Sequence, residues 1–238
     1  MVQEKSPSAA SFDPVDQTGR KKIRKRDAGN DCIQPGTQFK VIAFDIGQVI
    51  VPFDWASVEA GFAGRTGRSL ADVSAAMKKL AKIGYENGKV GTAEFLAELN
   101  RLLKSDITRE EFTFFWNVSF RECREMVPIV EELARSNRLF ALSNTNPEHY
   151  DYLNDVLNVY RHFEYRIFSH EVGVMKPEQG IYREVIKYTG RAVRKRDVLF
   201  IDDKPDFVFG ARRYGFSAIQ FTTPQSFARR LKEIGLLS

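Results

Sequence analysis

The chain has 238 residues, 43% of them hydrophobic and 28% charged, with a formal net charge of +5. This is the make-up of a globular protein with room for one domain carrying a large insertion, or for two small domains. It excludes a strongly basic nucleic-acid-binding domain, because residues 1–36 hold seven basic and five acidic side chains and the other 202 residues carry only +3.

The first 36 residues are polar, lack apolar periodicity and read as a disordered tail. Having no apolar segment, they are not a secretory signal, and a cytoplasmic location is the expectation. Within the tail, "RKKIRKR" (residues 20–26) puts six positive charges in seven positions. It reads first as a solvated charge run, with a nuclear address or a salt-sensitive contact to nucleic acid as the alternatives. Cys32 and Cys123, 91 positions apart, support neither a disulfide framework nor a metal cluster. No apolar run approaches the ~18–20 residues that span a bilayer.

The first strand is "VIAF" (Val41 to Phe44), β-branched and aromatic and therefore fit for a buried position. A helix-rich stretch follows over about residues 54–124. Ser69 with Asp72 is close to a capping box, Thr92 opens "AEFLAELNRLL", and Thr108 with Glu111 forms a capping box before "EFTFFWNVSF". The Gly-rich "AGFAGRTGR" lacks phosphate-loop spacing and follows no strand, so it reads as a helix end and turn. Phe112, Phe114, Phe115, Trp116 and Phe120 are expected to fill the core of a small helical bundle.

After Val127 helices and strands alternate. "RLFALS", "YRIFS", "DVLFID" and "SAIQF" are the strands, with helices starting near Pro128, Pro147, Pro177, Pro205 and Pro224. The alternation predicts an α/β class, a doubly wound parallel sheet covered on both faces, with a helical insertion after its first strand. The boundaries read from the sequence are a tail over 1–36, an α/β core over 37–52 and 127–238, and a helical segment over 53–126.

Three apolar strands end in reactive polar residues: Asp45, Ser143-Asn144 and Asp202-Asp203. Each alone suits a turn or a helix cap. Open α/β sheets bind ligands beyond the carboxyl ends of their strands, so neighbouring strands would bring these residues into one crevice. Crowded carboxylates there invite proton uptake or a cation, and oxygen-only ligands suit a hard ion such as Mg²⁺. Asp206, one helical turn beyond Asp202, could face the same place or simply complement a helix dipole. Lys176, in "GVMKPEQG", is either a surface lysine or the positive charge that holds an anion beside the metal. Ser143 and Asn144 could offer a hydroxyl and backbone N–H donors to that anion. His149, His162 and His170 are too scattered for a metal site; each reads as a packing or surface residue, with a substrate contact from His149 as the alternative.

In this order and spacing, "FDIGQVIV", "LSNTN", "GVMKPEQGIY" and "FIDDKPDFVFGARRYG" resemble the haloacid dehalogenase-type (HAD) hydrolase superfamily over about residues 40–225. They look most like its capped sugar-phosphatase branch, close to the alpha-D-glucose-1-phosphatase-like proteins. The resemblance implies a Rossmann-like core with the helical segment as a cap, and a Mg²⁺-dependent phosphatase acting on a small phosphorylated metabolite. It implies Asp45 as nucleophile, forming an aspartyl-phosphate. Asp45, the Gly47 carbonyl and Asp202 would hold Mg²⁺, with Asp203 and Asp206 behind them. Ser143, Asn144 and Lys176 would grip the phosphoryl group.

One position departs from the superfamily pattern. Most members carry a second Asp two residues after the nucleophile, as general acid for the leaving group; here it is Gly47. General acid catalysis is worth roughly 10²–10⁴ in rate. The departure suggests leaving groups that need little protonation, such as anomeric sugar, acyl or aryl phosphates, unless a cap residue or water supplies the proton. The rival readings are a non-catalytic binding or regulatory protein of the same fold and a metal-free dehalogenase. The latter has no use for crowded carboxylates at residues 202, 203 and 206.

Overall fold

The computed structural model describes residues 33–238. Strand β1 (Val41–Phe44) is followed by four helices, α1 (Trp55–Thr66), α2 (Leu70–Leu80), α3 (Thr92–Leu103) and α4 (Arg109–Asn117). The chain then alternates through α5 (Met126–Ala134), β2 (Arg138–Ser143), α6 (Pro147–Val156), β3 (Phe163–Phe168), the single-turn α7 (Ser169–Val172) and α8 (Gln179–Thr189). It finishes with β4 (Val198–Asp202), α9 (Pro205–Tyr214), β5 (Ser217–Gln220) and α10 (Pro224–Glu233). All strand pairings are parallel, in the order β3-β2-β1-β4-β5. This is the doubly wound α/β sheet that the alternating pattern predicts.

Side chains alternate across each strand, and both faces of the sheet are covered. Ile42 and Phe44 of β1 join Leu139 and Ala141 of β2 in packing on Val130 and Leu133 of α5, Leu153 of α6 and Phe227 and Leu231 of α10. Val41 and Ala43 face the other way, with Phe140, Val198 and Phe200, onto Ile181, Tyr182 and Val185 of α8 and Val208 and Ala211 of α9. Proline stands at the first turn of α6, α9 and α10, where its missing N–H costs nothing.

Helices α1–α4 have an apolar centre of their own, including Val58, Phe62, Met77, Leu80, Phe95, Leu99, Phe112 and Trp116. Their starts follow the predicted caps. Ser69 accepts from the Asp72 N–H, and Thr108 and Glu111 make a reciprocal box, each cap worth about 1 kcal/mol. Thr92 is the first helical residue of α3 rather than its cap, which is Gly91, and its hydroxyl pairs with the Tyr85 hydroxyl at 2.9 Å.

The aromatic run divides. Phe112 and Trp116 are buried in the bundle and Phe115 packs partly against it, but Phe114 is 64% exposed and Phe120 packs on the α/β core. Helical phase explains this: Phe112, Phe115 and Trp116 share a face at i, i+3, i+4, and Phe114 falls on the opposite one. Helix α5 starts at Met126, two residues before Pro128. Residues 33–36, read from the sequence as the end of the tail, are tied to α10: Gly36 N–H bonds the Ile234 carbonyl at 3.1 Å, and Arg230 reaches the Ile33 carbonyl at 3.2 Å. The basic run over 20–26 lies outside the described residues. No described helix is long and apolar enough to cross a membrane.

Candidate active site

The site sits where β1, β2 and β4 end side by side. Asp45 continues β1 by one residue, its N–H bonding the Ile201 carbonyl at 2.8 Å. The chain then turns sharply. Ile46 C=O accepts from the N–H groups of Ile50 and Val51, and Gln48 is held at φ 58°, a left-handed conformation rare for a residue with a side chain. This turn brings Gly47 into the cavity wall beside Asp45.

Three donors converge on one oxygen of Asp45. The Ile46 N–H (2.7 Å), the Ser143 hydroxyl (2.8 Å) and the Lys176 ammonium (2.9 Å) all meet Oδ1. Among the described residues no hydrogen bond reaches Oδ2. Lys176 Nζ also meets Asp202 Oδ2 at 2.6 Å, so one fully buried ammonium bridges two carboxylates. The lysine is placed by Asn144. That side chain accepts from the Lys176 N–H at 2.8 Å and donates to the Lys176 carbonyl at 3.0 Å. The Asn144 amide therefore fixes the lysine loop against the end of β2, a positioning task in addition to any contact its backbone makes.

Asp202, with no exposed surface, accepts the Lys204 N–H at 2.8 Å through its other oxygen. Asp45, Asp202 and Asp203 offer carboxylate oxygens that all lie within 4.8 Å of one another. Asp206 stands outside this group, exposed on the first turn of α9. Asp203 Oδ1 is buried without a hydrogen-bond partner in the described structure, a costly state for an acceptor. An all-oxygen set with one orphaned acceptor fits a hard divalent cation such as Mg²⁺.

The electrostatics agree. Burial raises the Asp202 carboxyl, and the Asp45 charge raises it further, against the pull of Lys176. Asp203 is raised by burial and by Asp45 in the same way. Burial works against the Lys176 ammonium, yet the Asp45 and Asp202 charges outweigh it and hold the lysine protonated. Lys204 also pulls on Asp203, but two lysines against three carboxylates still leave the group short of positive charge.

Above these groups lies a cavity of about 410 Å³, within the usual range of small-ligand sites. Its floor is Asp45, Ser143, Lys176 and Asp203, and aromatic rings from Phe53, Trp55, Phe120 and Phe207 form much of its wall. His149 lines it too, stacked on Trp116 at 5.2 Å and edge-on to Phe120 at 4.6 Å. Its Nδ1 pairs with Asn146 Nδ2 at 3.1 Å, and burial pushes the imidazole pKa down to about 3. His149 is thus a neutral cavity residue, whereas His162 and His170 lie outside the lining. Phe120 is expected from the sequence in the core of the helical bundle rather than in the cavity wall, and Glu86, Lys204, Phe53, Trp55 and Phe207 were not singled out in it. Their only local signal is the turn-forming "ENG" after Tyr85, because insertion and loop residues reach the cavity through tertiary packing alone.

A model of the haloacid dehalogenase-like hydrolases matches residues 39–215. The chain belongs to that family. No curated protein sequence matches this hydrolase, but solved structures share its fold. A predicted HAD-like family hydrolase from Porphyromonas gingivalis is 25% identical over 83% of this chain and 100% of its own, with a TM-score of 0.70. The HAD family enzyme BT-2542 of Bacteroides thetaiotaomicron, in complex with magnesium and inorganic phosphate, superposes with a TM-score of 0.67 at 19% identity, over 77% and 94% of the two chains. L-2-haloacid dehalogenase from Xanthobacter autotrophicus, with chloropropionic acid covalently bound, gives 0.58 at 19% identity, over 84% and 85%.

Proposed function

We propose that this hydrolase is a Mg²⁺-dependent phosphomonoesterase that works through an aspartyl-phosphate on a small phosphorylated metabolite, such as a sugar phosphate. The observation that carries the reading is the strand-end cluster. Asp45 has one oxygen held by Ser143, Lys176 and the Ile46 N–H, beside two further carboxylates within 4.8 Å. The magnesium and phosphate bound by BT-2542, a structural neighbour, support the same chemistry.

Asp45, Asp202 and the Gly47 carbonyl would hold the ion, with Asp203 beside them and Asp206 further out. When bound, Mg²⁺ supplies positive charge to the phosphoryl oxygens. The donors on Oδ1 fix the carboxylate, and the lone pairs of Oδ2 remain to attack phosphorus in line. Lys176 and Ser143 stand at the oxygen-rich end of the cavity, where they would stabilise charge on the transferring group, and Asn144 holds the lysine there. The alternative dehalogenase reading leaves the orphaned Asp203 oxygen without a task. Helices α1–α4 would act as the cap, excluding water and selecting the leaving group through the aromatic wall.

The test is hydrolysis of p-nitrophenyl phosphate with Mg²⁺, with chelator, and by Asp45→Asn. Turnover should depend on Mg²⁺ and fall to background in the variant. Turnover that survived either treatment would sink the mechanism.

A further inference from the structure

An alkoxide leaving group needs a proton as its bond to phosphorus breaks, and Gly47 has no side chain to give one. The donor therefore has to be sought among the other titratable groups of the cavity. Asp45 is the nucleophile, and Asp203 belongs to the carboxylate cluster. His149 has a buried Nε2 without a partner, but burial pushes its pKa down to about 3, so the ring is neutral and too weakly basic to be recharged after a transfer at neutral pH. The Tyr160 hydroxyl is driven well above its ordinary range by burial, so it is a poorer acid still. Lys176 is committed to two carboxylates. Lys204, Tyr150 and Glu86 remain; of these Glu86 alone carries a carboxyl, and it comes to the cavity from the helical insertion.

Its position is built by the fold. Glu86 lies in a turn between α2 and α3, closed by the Lys89 N–H on the Gly84 carbonyl at 2.9 Å, with Gly84 and Gly88 both at positive φ. The Glu86 carbonyl accepts the hydroxyl of fully buried Ser169 at 2.5 Å. A Cβ at Gly88 would come within 2.1 Å of the His170 carbonyl oxygen, so only glycine lets the turn seat on α7. Stacking of Tyr85 on Phe95 at 4.3 Å anchors the turn from the bundle side. The insertion thus docks on the core at the residues that flank Glu86.

We propose that Glu86 is the general acid of this hydrolase, supplying from the helical insertion the proton that position 47 cannot. The inference rests on the phosphatase reading above. As the bond from Asp45 to phosphorus forms and the bond to the leaving oxygen breaks, the Glu86 carboxyl gives its proton to that oxygen, which departs as an alcohol. The Glu86 carboxylate then takes a proton from the water that attacks the aspartyl-phosphate. That step releases inorganic phosphate and restores Asp45 and the protonated acid. Desolvation raises the Glu86 carboxyl, and Asp45 raises it further, while Lys204 and Lys176 facing it from the core pull the other way. Glu86 is exposed as a residue, so the upward shift gives only the direction a general acid needs, and its place in the cavity lining carries the assignment.

The experiment compares Mg²⁺-loaded wild type, Glu86→Gln and Lys204→Met on benzyl phosphate and p-nitrophenyl phosphate. The first has a poor leaving group and the second a good one. In Glu86→Gln, kcat/KM for benzyl phosphate should fall about 10²-fold more than for p-nitrophenyl phosphate, and the alkaline limb of the benzyl phosphate pH profile should disappear. The thermal unfolding midpoint should match wild type. Equal losses on both substrates, or the selective loss appearing in Lys204→Met instead, overturn the assignment of Glu86 while leaving the phosphatase reading intact. A wild type that hydrolyses neither substrate overturns both.

Discussion

Gly47 and His149 show how single side chains shape this cavity. A Cβ at Gly47 would meet the Phe53 ring at 3.2 Å, closer than most real Cβ contacts, and Phe53 is braced edge-on by Phe120 at 5.5 Å. The space next to Asp45 is therefore filled by an aromatic ring where a carboxylate would otherwise stand. His149 lies in the same aromatic wall, and its burial has a thermodynamic consequence. Its pKa falls from 6.5 to about 3 on folding. Between those values the unfolded chain binds a proton that the folded protein does not, so stability falls as pH drops below 6.5. His149→Phe removes that proton while keeping the stack. Its unfolding free energy should lose less on going from pH 6.5 to pH 4.5, by up to about 1.4 kcal/mol per pH unit. Parallel pH profiles from denaturant melts of the two proteins would refute it.

Elements α4 and α6 carry much of the contact between the helical bundle and the α/β core. The Glu148 side chain of α6 is buried. It accepts the Thr113 hydroxyl of α4 and pairs with Arg109 at 2.6 Å. One turn on, Trp116 Nε1 donates to Asn146 Oδ1 at 3.3 Å while its ring stacks on His149. Arg109 is half exposed, so its charge adds little, and the buried hydroxyl–carboxylate bond dominates. Glu148→Ala should cost about 1–3 kcal/mol by leaving Thr113 and the cavity beside it unsatisfied. Because the contact orients the bundle, KM for p-nitrophenyl phosphate should rise more than kcat falls. A double-mutant cycle with Thr113→Ala checks it: additive losses would show that the two side chains do not act together.

At the scale of the whole molecule, the parallel sheet gathers charges that local sequence keeps far apart. Strand order places β1 between β2 and β4, so residues 45, 143 and 202 meet although the helical insertion separates the first from the others. The cost is like-charge repulsion, which Lys176 relieves in part. A cation bound in the folded state and not in the unfolded chain should add stability, about 2.7 kcal/mol at 100 times its dissociation constant. Millimolar Mg²⁺ should therefore raise the melting temperature of wild type, and Asp203→Asn should blunt the rise. An unchanged melting temperature in wild type would count against a metal at this cluster.

The sequence by itself determined the fold class, because strand and helix periodicities differ and each apolar run has one face or two to bury. It also marked Asp45, Ser143, Asp202 and Asp203, because a polar residue ending a buried strand has few places to go but the sheet's carboxyl edge, whereas Lys176, in a loop, was open to a surface reading as well. It could not rank Asp206 against Asp203. The turn after β4 leaves Asp203 beside its neighbours and Asp206 facing solvent, and three residues of spacing do not encode that. The task of the Asn144 amide was hidden for the same reason, since its partner backbone lies 32 residues away. Only the tertiary structure decided that Phe120 and His149 belong to the cavity wall and that a glycine-flanked turn of the insertion sets Glu86 over the strand ends. Those placements depend on how one packed unit docks on another. Docking is fixed by complementary surfaces assembled from distant residues, and no local pattern carries it.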